Sequence, residues 1–122
     1  MVAFSPDGRY LASLGWLTGF TLRVFDLDAG TNHTLASQAD QQERIGFGQP
    51  AFHPDGKSLV AGGLQEIVQW DVTTWEKRTA PTGHAGWVGQ LTFSPDGNTL
   101  AGVYGDEKGA SVIRLWKVTR KE

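Results

Sequence analysis

The chain has 122 residues, enough for one compact domain with one modest core. Its 11 Lys and Arg against 13 Asp and Glu leave a net charge of −2. No basic stripe appears, so the electrostatic footprint of a nucleic-acid binder is missing. The lack of Cys excludes disulfides and thiolate–metal sites, and no apolar run is long enough to cross a bilayer as a helix. Met1 leads straight into V-A-F-S-P-D-G without the charged and apolar regions of a signal peptide. The expectation is a cytoplasmic protein without membrane or nucleic-acid partners. Sixteen Gly and five Trp, with scattered β-branched residues, point to short strands and tight turns.

In chain order, V-A-F at 2–4 reads as a strand and S-P-D-G at 5–8 as a turn. Pro presets φ for the second turn position, Ser and Asp bond nearby backbone N–H groups, and Gly takes the left-handed conformation that follows. R-Y-L-A-S at 9–13, T-L-R-V-F-D-L at 21–27 and N-H-T-L-A-S at 32–37 read as three further strands. The pattern then repeats. P-A-F at 50–52, H-P-D-G at 53–56, K-S-L-V-A at 57–61, E-I-V-Q-W-D-V at 66–72 and W-E-K-R-T-A at 75–80 form the second set. Q-L-T-F at 90–93, S-P-D-G at 94–97, N-T-L-A-G at 98–102 and V-I-R-L-W-K-V at 112–118 form a third set without a fourth strand. Apolar residues occupy both parities in the third strand of each set, as expected of a strand covered on both faces.

A repeat of 41 to 48 residues with four short strands is the mark of a β-propeller blade. One such sheet cannot bury its own faces, and stacking sheets around an axis buries them. The sets divide the chain into blades at about 1–40, 41–82 and 83–122. Three blades are too few to close a ring, so the expectation is an all-β, open, partial propeller with an incomplete last blade.

The third set also has Gly83-His84 before its first strand, Asp106 after its second and Trp116 in its third; the second set has Trp70-Asp71, and the first has Phe25-Asp26. With the S-P-D-G corners, these residues resemble the WD40-repeat family, and the corners resemble its prokaryotic members most. The resemblance covers nearly the whole chain. It implies that His84, Asp106 and Trp116 belong to a buried hydrogen-bonded network. Gly102 stands where that network's hydroxyl belongs, so the network is expected to be incomplete. Glu43 stands in place of His84 in the second set, and Lys117 in place of the W-D aspartate in the third.

Asp7, Asp55 and Asp96 invite a reading as repeated cation ligands. The corner accounts for Ser, Pro and Gly as well, which a metal does not, so these aspartates are expected to be structural, as are Trp70 and Asp71. His33, His53 and His84 have neither Cys partners nor zinc spacing, and no Ser lies in a nucleophile elbow. No metal, cofactor or catalytic residue is expected. Trp87 directly precedes an innermost strand, where the resemblance implies a rim near the central channel; it is either a binding hot spot there or packing between blades. Glu43 and Arg44 are weaker rim candidates. Trp75 is expected at a blade edge, and the apolar segment 16–20 either packs on a neighbour or contacts a partner.

The resemblance implies a non-catalytic protein–protein interaction scaffold, the C-terminal part of a larger propeller. The other way to close a ring, two copies giving six blades, would leave an outer strand unfilled in each copy, so the larger propeller is the expectation; in isolation, exposed flanks would favour self-association through open blade edges. The alternatives are an accessory propeller of a peptidase- or lactonase-like enzyme, or a truncated remnant with no partner. Enzyme propellers of those kinds share the S-P-D-G corner but lack the Gly-His and W-D combination.

Overall fold

The computed structural model describes residues 2–15, 21–37, 50–62, 66–81, 88–105 and 111–118. These form eleven strands and, among the described residues, no helix. The first sheet is β1 (Val2–Phe4), β2 (Tyr10–Gly15), β3 (Thr21–Asp26) and β4 (Thr31–Ser37), paired in chain order. The second is β5 (Ala51–Phe52), β6 (Ser58–Gly62), β7 (Glu66–Asp71) and β8 (Lys77–Pro81), again in chain order. The third has β9 (Val88–Phe93), β10 (Thr99–Gly105) and β11 (Ser111–Lys117), with β11 at its edge. Every pairing is antiparallel.

The three corners fold as their residues dictate. Gly8, Gly56 and Gly97 take φ of 75°, 75° and 77°, where side chains are strained and Gly is not. Each Gly N–H donates to the carbonyl three residues back, at 2.8–2.9 Å, which closes the turn. In the first and third corners, Ser5 Oγ and Ser94 Oγ donate to Asp7 and Asp96 at 2.6 Å. The same carboxylates accept the Arg9 and Asn98 backbone N–H groups.

Two cores lie between the sheets. Ala12, Leu14, Leu22 and Val24 of the first sheet pack on Leu59, Ala61, Val68 and Trp70 of the second. On its other face, the second sheet sets Val60 and Ile67 against Val88, Leu91 and Leu100 of the third. Strand alternation produces this division: Leu59 and Ala61 point one way and Val60 between them the other. β7 is therefore covered on both faces, as its mixed parity predicts.

β3 and β11 depart from that expectation. Arg23 is exposed, as are Ile113 and Leu115. The reason is position: among the described residues, the first and third sheets each pack on the second sheet alone.

Candidate functional site

The residues singled out in the sequence fall into two groups. Glu43, Arg44, His84, Trp87 and Asp106 lie outside the described residues, as do positions 16–20. The others are described, and each has a structural setting.

Trp70 is 1 % exposed at the centre of the first junction, opposite Leu59 across the β6–β7 ladder. Trp116 holds the matching place in the second junction, opposite Leu100. A methyl added at Gly102 would lie 2.7 Å from the Trp116 ring and 2.8 Å from Leu91 Cδ2. The indole thus fills the space that a Ser or Thr hydroxyl would need at that position.

The aspartates act as local clamps. Asp71 Oδ1 accepts the Thr73 hydroxyl at 2.7 Å and the Thr73 and Thr74 backbone N–H groups at 2.8 and 3.0 Å, capping the turn after β7. These bonds, led by the Thr73 hydroxyl, hold its carboxyl below the usual range. Asp7 and Asp96 are lowered chiefly by the Ser5 and Ser94 hydroxyls, then by the backbone N–H groups they accept. Asp26 is lowered first by the Arg9 guanidinium, which meets both its oxygens at 3.2–3.3 Å, and then by the Ala29 N–H. These bonds lie within a turn or between adjacent strands. Among the described residues, no three His, Asp or Glu side chains are grouped to hold a metal.

Three features go beyond what the sequence signals. His53, which replaces the corner Ser in the second sheet, is buried, with Nε2 3.0 Å from the Gly97 carbonyl of the third sheet's corner. Its Nδ1 accepts the Asp55 N–H at 3.1 Å and lies 2.9 Å from Asp55 Oδ1, while its ring meets Phe93 edge-on at 4.8 Å. Asp55 Oδ1 also accepts the Lys57 N–H at 2.8 Å. The H-P-D-G corner is therefore both a turn and a tie between sheets.

Trp75 has φ of 58°, a left-handed conformation unfavourable for a bulky residue. The equivalent place in the first sheet holds Gly30, at φ 69°; both residues donate their N–H to an aspartate carbonyl four positions back. The Trp75 ring packs across the junction, edge-on to Tyr10 at 5.6 Å and tilted against His33 at 6.1 Å. This is an inter-sheet role rather than a blade-edge one. The third feature is Gly62, where an added methyl would overlap the Val88 carbonyl oxygen of β9. The only advance hints were a His in a Ser position and a Trp in a Gly position.

A cleft of about 250 Å³ opens between the second and third sheets, lined by His53, Val60, Ile67, Phe93, Trp116 and Val118 among others. A second, polar one of similar volume lies along the outer strands of the second sheet, beside Lys57, Asp71, Glu76 and Arg78. Ser58 lines both clefts; His53, in the first, has its Nε2 on the Gly97 carbonyl, and Asp71, in the second, has its Oδ1 on the Thr73 hydroxyl.

Residues 75–117 match the family model "WD domain, G-beta repeat". The match runs from the approach to β8 through β11, one outer strand plus the next sheet's three. Over 120 residues, 98 % of this chain, the sequence is 32 % identical to Pre-mRNA-processing factor 19 homolog 2 of Arabidopsis thaliana. It is also 32 % identical, over 98 % of the chain, to the small ribosomal subunit protein RACK1 of Schizosaccharomyces pombe. The chain spans 21 % and 37 % of the lengths of those proteins. Among solved structures, a putative TolB from Agrobacterium tumefaciens superposes with a TM-score of 0.69 at 18 % identity, over 98 % of this chain and 46 % of that one. That likeness is one of fold, the β-propeller. Three stacked antiparallel sheets, the corner between the first two strands of each and a matching repeat make this chain a member of the WD40-repeat family.

Proposed function

We propose that this chain is a non-catalytic protein–protein interaction scaffold of the WD40 type, the C-terminal part of a larger propeller protein of prokaryotic type. The observation that carries this reading is the succession of WD blades, in which the conspicuous aspartates and His53 are taken up by corners and junctions. Such a surface has shape and rigidity to offer a partner. Blade limits at 1–40, 41–82 and 83–122, a cytoplasmic location and a protein partner rather than nucleic acid or lipid complete the proposal. The small fraction of each relative that the chain covers supports its being part of a longer protein.

Trp87, Glu43 and Arg44 are the proposed contact residues. Replacing Trp87 with Ala is expected to weaken capture of protein partners on immobilised chain while leaving the urea unfolding midpoint in place. Undiminished capture would remove Trp87 from the rim. The coding sequence on either side tests the fragment: further repeats in frame support it, and a stop on both sides removes it.

A further inference from the structure

β4 and β8 are the outer strands of the two four-stranded sheets, and among the described residues each is paired on its inner side only. Such edges lie on the circumference of a propeller, where stacking further blades face to face leaves them. The two are not protected alike. β8, K-R-T-A-P, carries Lys77, Arg78 and Pro81, the residue types that keep an edge from pairing with another chain. β4, T-N-H-T-L-A-S, is longer and has neither a charged residue nor a Pro. Its Thr31, Asn32, His33 and Thr34 are exposed.

The register shows which of its backbone groups are free. The Leu27 N–H donates to the Arg9 carbonyl just before β2, so alternation turns the backbone groups of Asp26 and Val24 toward β4. Their partners Thr31 and His33 therefore bond inward. Asn32 and Thr34 present their N–H and carbonyl groups to the free edge. The ladder shifts register beyond Thr34, so the regular part of the edge is 31–34.

Two side-chain features lie along it. His33 shares a sheet face with Val24, toward the second blade, and its ring is backed by the Trp75 indole at 6.1 Å. Trp75 is itself held at φ 58°, the kind of backbone strain that clusters at ligand clamps. The turn leading into β4 carries Asp26 and Asp28 against Arg9; Asp28 is 74 % exposed and 3.9 Å from the guanidinium. That end of the edge is acidic.

We propose that the outer edge of β4 takes an extended peptide segment of a partner protein as a fifth, antiparallel strand of the first blade. An aromatic or aliphatic side chain of the segment lies on His33, and a lysine or arginine near its C-terminal end lies beside Asp28. Main-chain bonds to Asn32 and Thr34 supply the pairing, and the alternate side chains supply the choice of partner. The contact rests on the scaffold reading and uses none of the residues proposed at the rim.

A fluorescein-labelled peptide, T-V-T-F-T-K, titrated with the whole chain and read by anisotropy, tests it. Saturable binding is expected, with amide shifts in NMR spectra at Asn32 and Thr34 and not along β8. Thr34→Pro removes an outward N–H without breaking the ladder, and it is expected to weaken binding about fivefold or more while keeping the urea midpoint. Two peptides N-methylated on alternate amides separate main-chain pairing from side-chain contact: one is expected to lose binding and the other to keep it. Trp87→Ala is expected to leave the peptide bound, so this contact and the rim fail or stand separately. The proposal is overturned by no saturable binding, by equal binding of the two methylated peptides, by shifts confined to β8, or by loss of the peptide in Trp87→Ala. Sedimentation in which wild-type chain pairs with itself and Thr34→Pro does not would also overturn it, with a second copy on the edge.

Discussion

Gly97 carries two constraints, and they can be separated. Its φ of 77° disfavours any side chain, and an added methyl would lie 2.5 Å from His53 Cε1. Gly8 has the same backbone conformation but open space around it. Gly8→Ala should therefore cost about 1–2 kcal/mol from the left-handed backbone alone, and Gly97→Ala distinctly more. His53→Ser should cost about 1 kcal/mol by removing the hydrogen bond to Gly97, yet it should recover the excess cost of Gly97→Ala in the double variant. Urea titrations of the four proteins measure this; equal costs at Gly8 and Gly97 would show that the ring does not restrict the corner. The turn carboxylates give a second prediction at this scale. Asp7, Asp26, Asp71 and Asp96 are all lowered from 3.8, so the fold favours their ionised forms. Their stabilisation is complete above 3.8 and is lost as pH falls below it through the lowered values. The urea midpoint should drop between pH 5 and pH 2.5, less so in an Asp7→Asn, Asp96→Asn double variant. Because Asp7, Asp71 and Asp96 are exposed, the loss should be gradual rather than a single step.

At the scale of elements, the two junctions are built to different tolerances. Leu14 in β2 and Gly62 in β6 occupy the same register position, opposite Leu22 and Ile67. Leu14 fits fully buried beneath the second blade, whereas at Gly62 the backbone of β9 comes so close that no Cβ has room. Gly62→Ala should therefore force β6 and β9 apart and cost about 1–3 kcal/mol, the range for overpacking a tight core. The Trp116 indole, which packs in that junction, should report the opening as a red shift in fluorescence, best read against a Trp116→Phe control. An unchanged urea midpoint would mean that the junction has slack. The strands themselves need little explanation beyond alternation. Short β-branched and aromatic runs bounded by Pro-Asp-Gly corners leave the backbone few other choices.

For the molecule as a whole, stability is shared between neighbouring blades. Blade 2 contributes residues to both cores, whereas blades 1 and 3 each contribute to one. In repeat architectures of this kind, stability is close to a sum of unit and nearest-neighbour terms. Among the described residues, the first and third blades therefore draw on one such interface each and the second on two. No strand pairs with the outer side of β11 among the described residues. Uncovered faces are the feature that closure of a propeller removes.

The corners, the strand order within each blade and the apolar register positions were legible in the sequence because each rests on local chemistry. Pro, Asp and Gly specify a turn within four residues, and alternation assigns a face within five or six. The family followed from those same residues taken in order. Of the candidate site, only the structural part can be placed: Trp70 and Trp116 in the junctions, and Asp7, Asp55, Asp71 and Asp96 in their turns. The proposed rim residues Glu43, Arg44 and Trp87, with His84 and Asp106, lie outside the described residues. The tertiary structure alone decided which faces are covered. It decided that Arg23 and Ile113 are exposed while Val68 and Ile67, in matching strands, are buried. It also decided that His53 reaches a carbonyl 44 positions away, that Gly62 admits the backbone of β9 and that Gly102 makes room for Trp116. These depend on how one blade sits against the next, and that distance is set by side chains far apart in the chain.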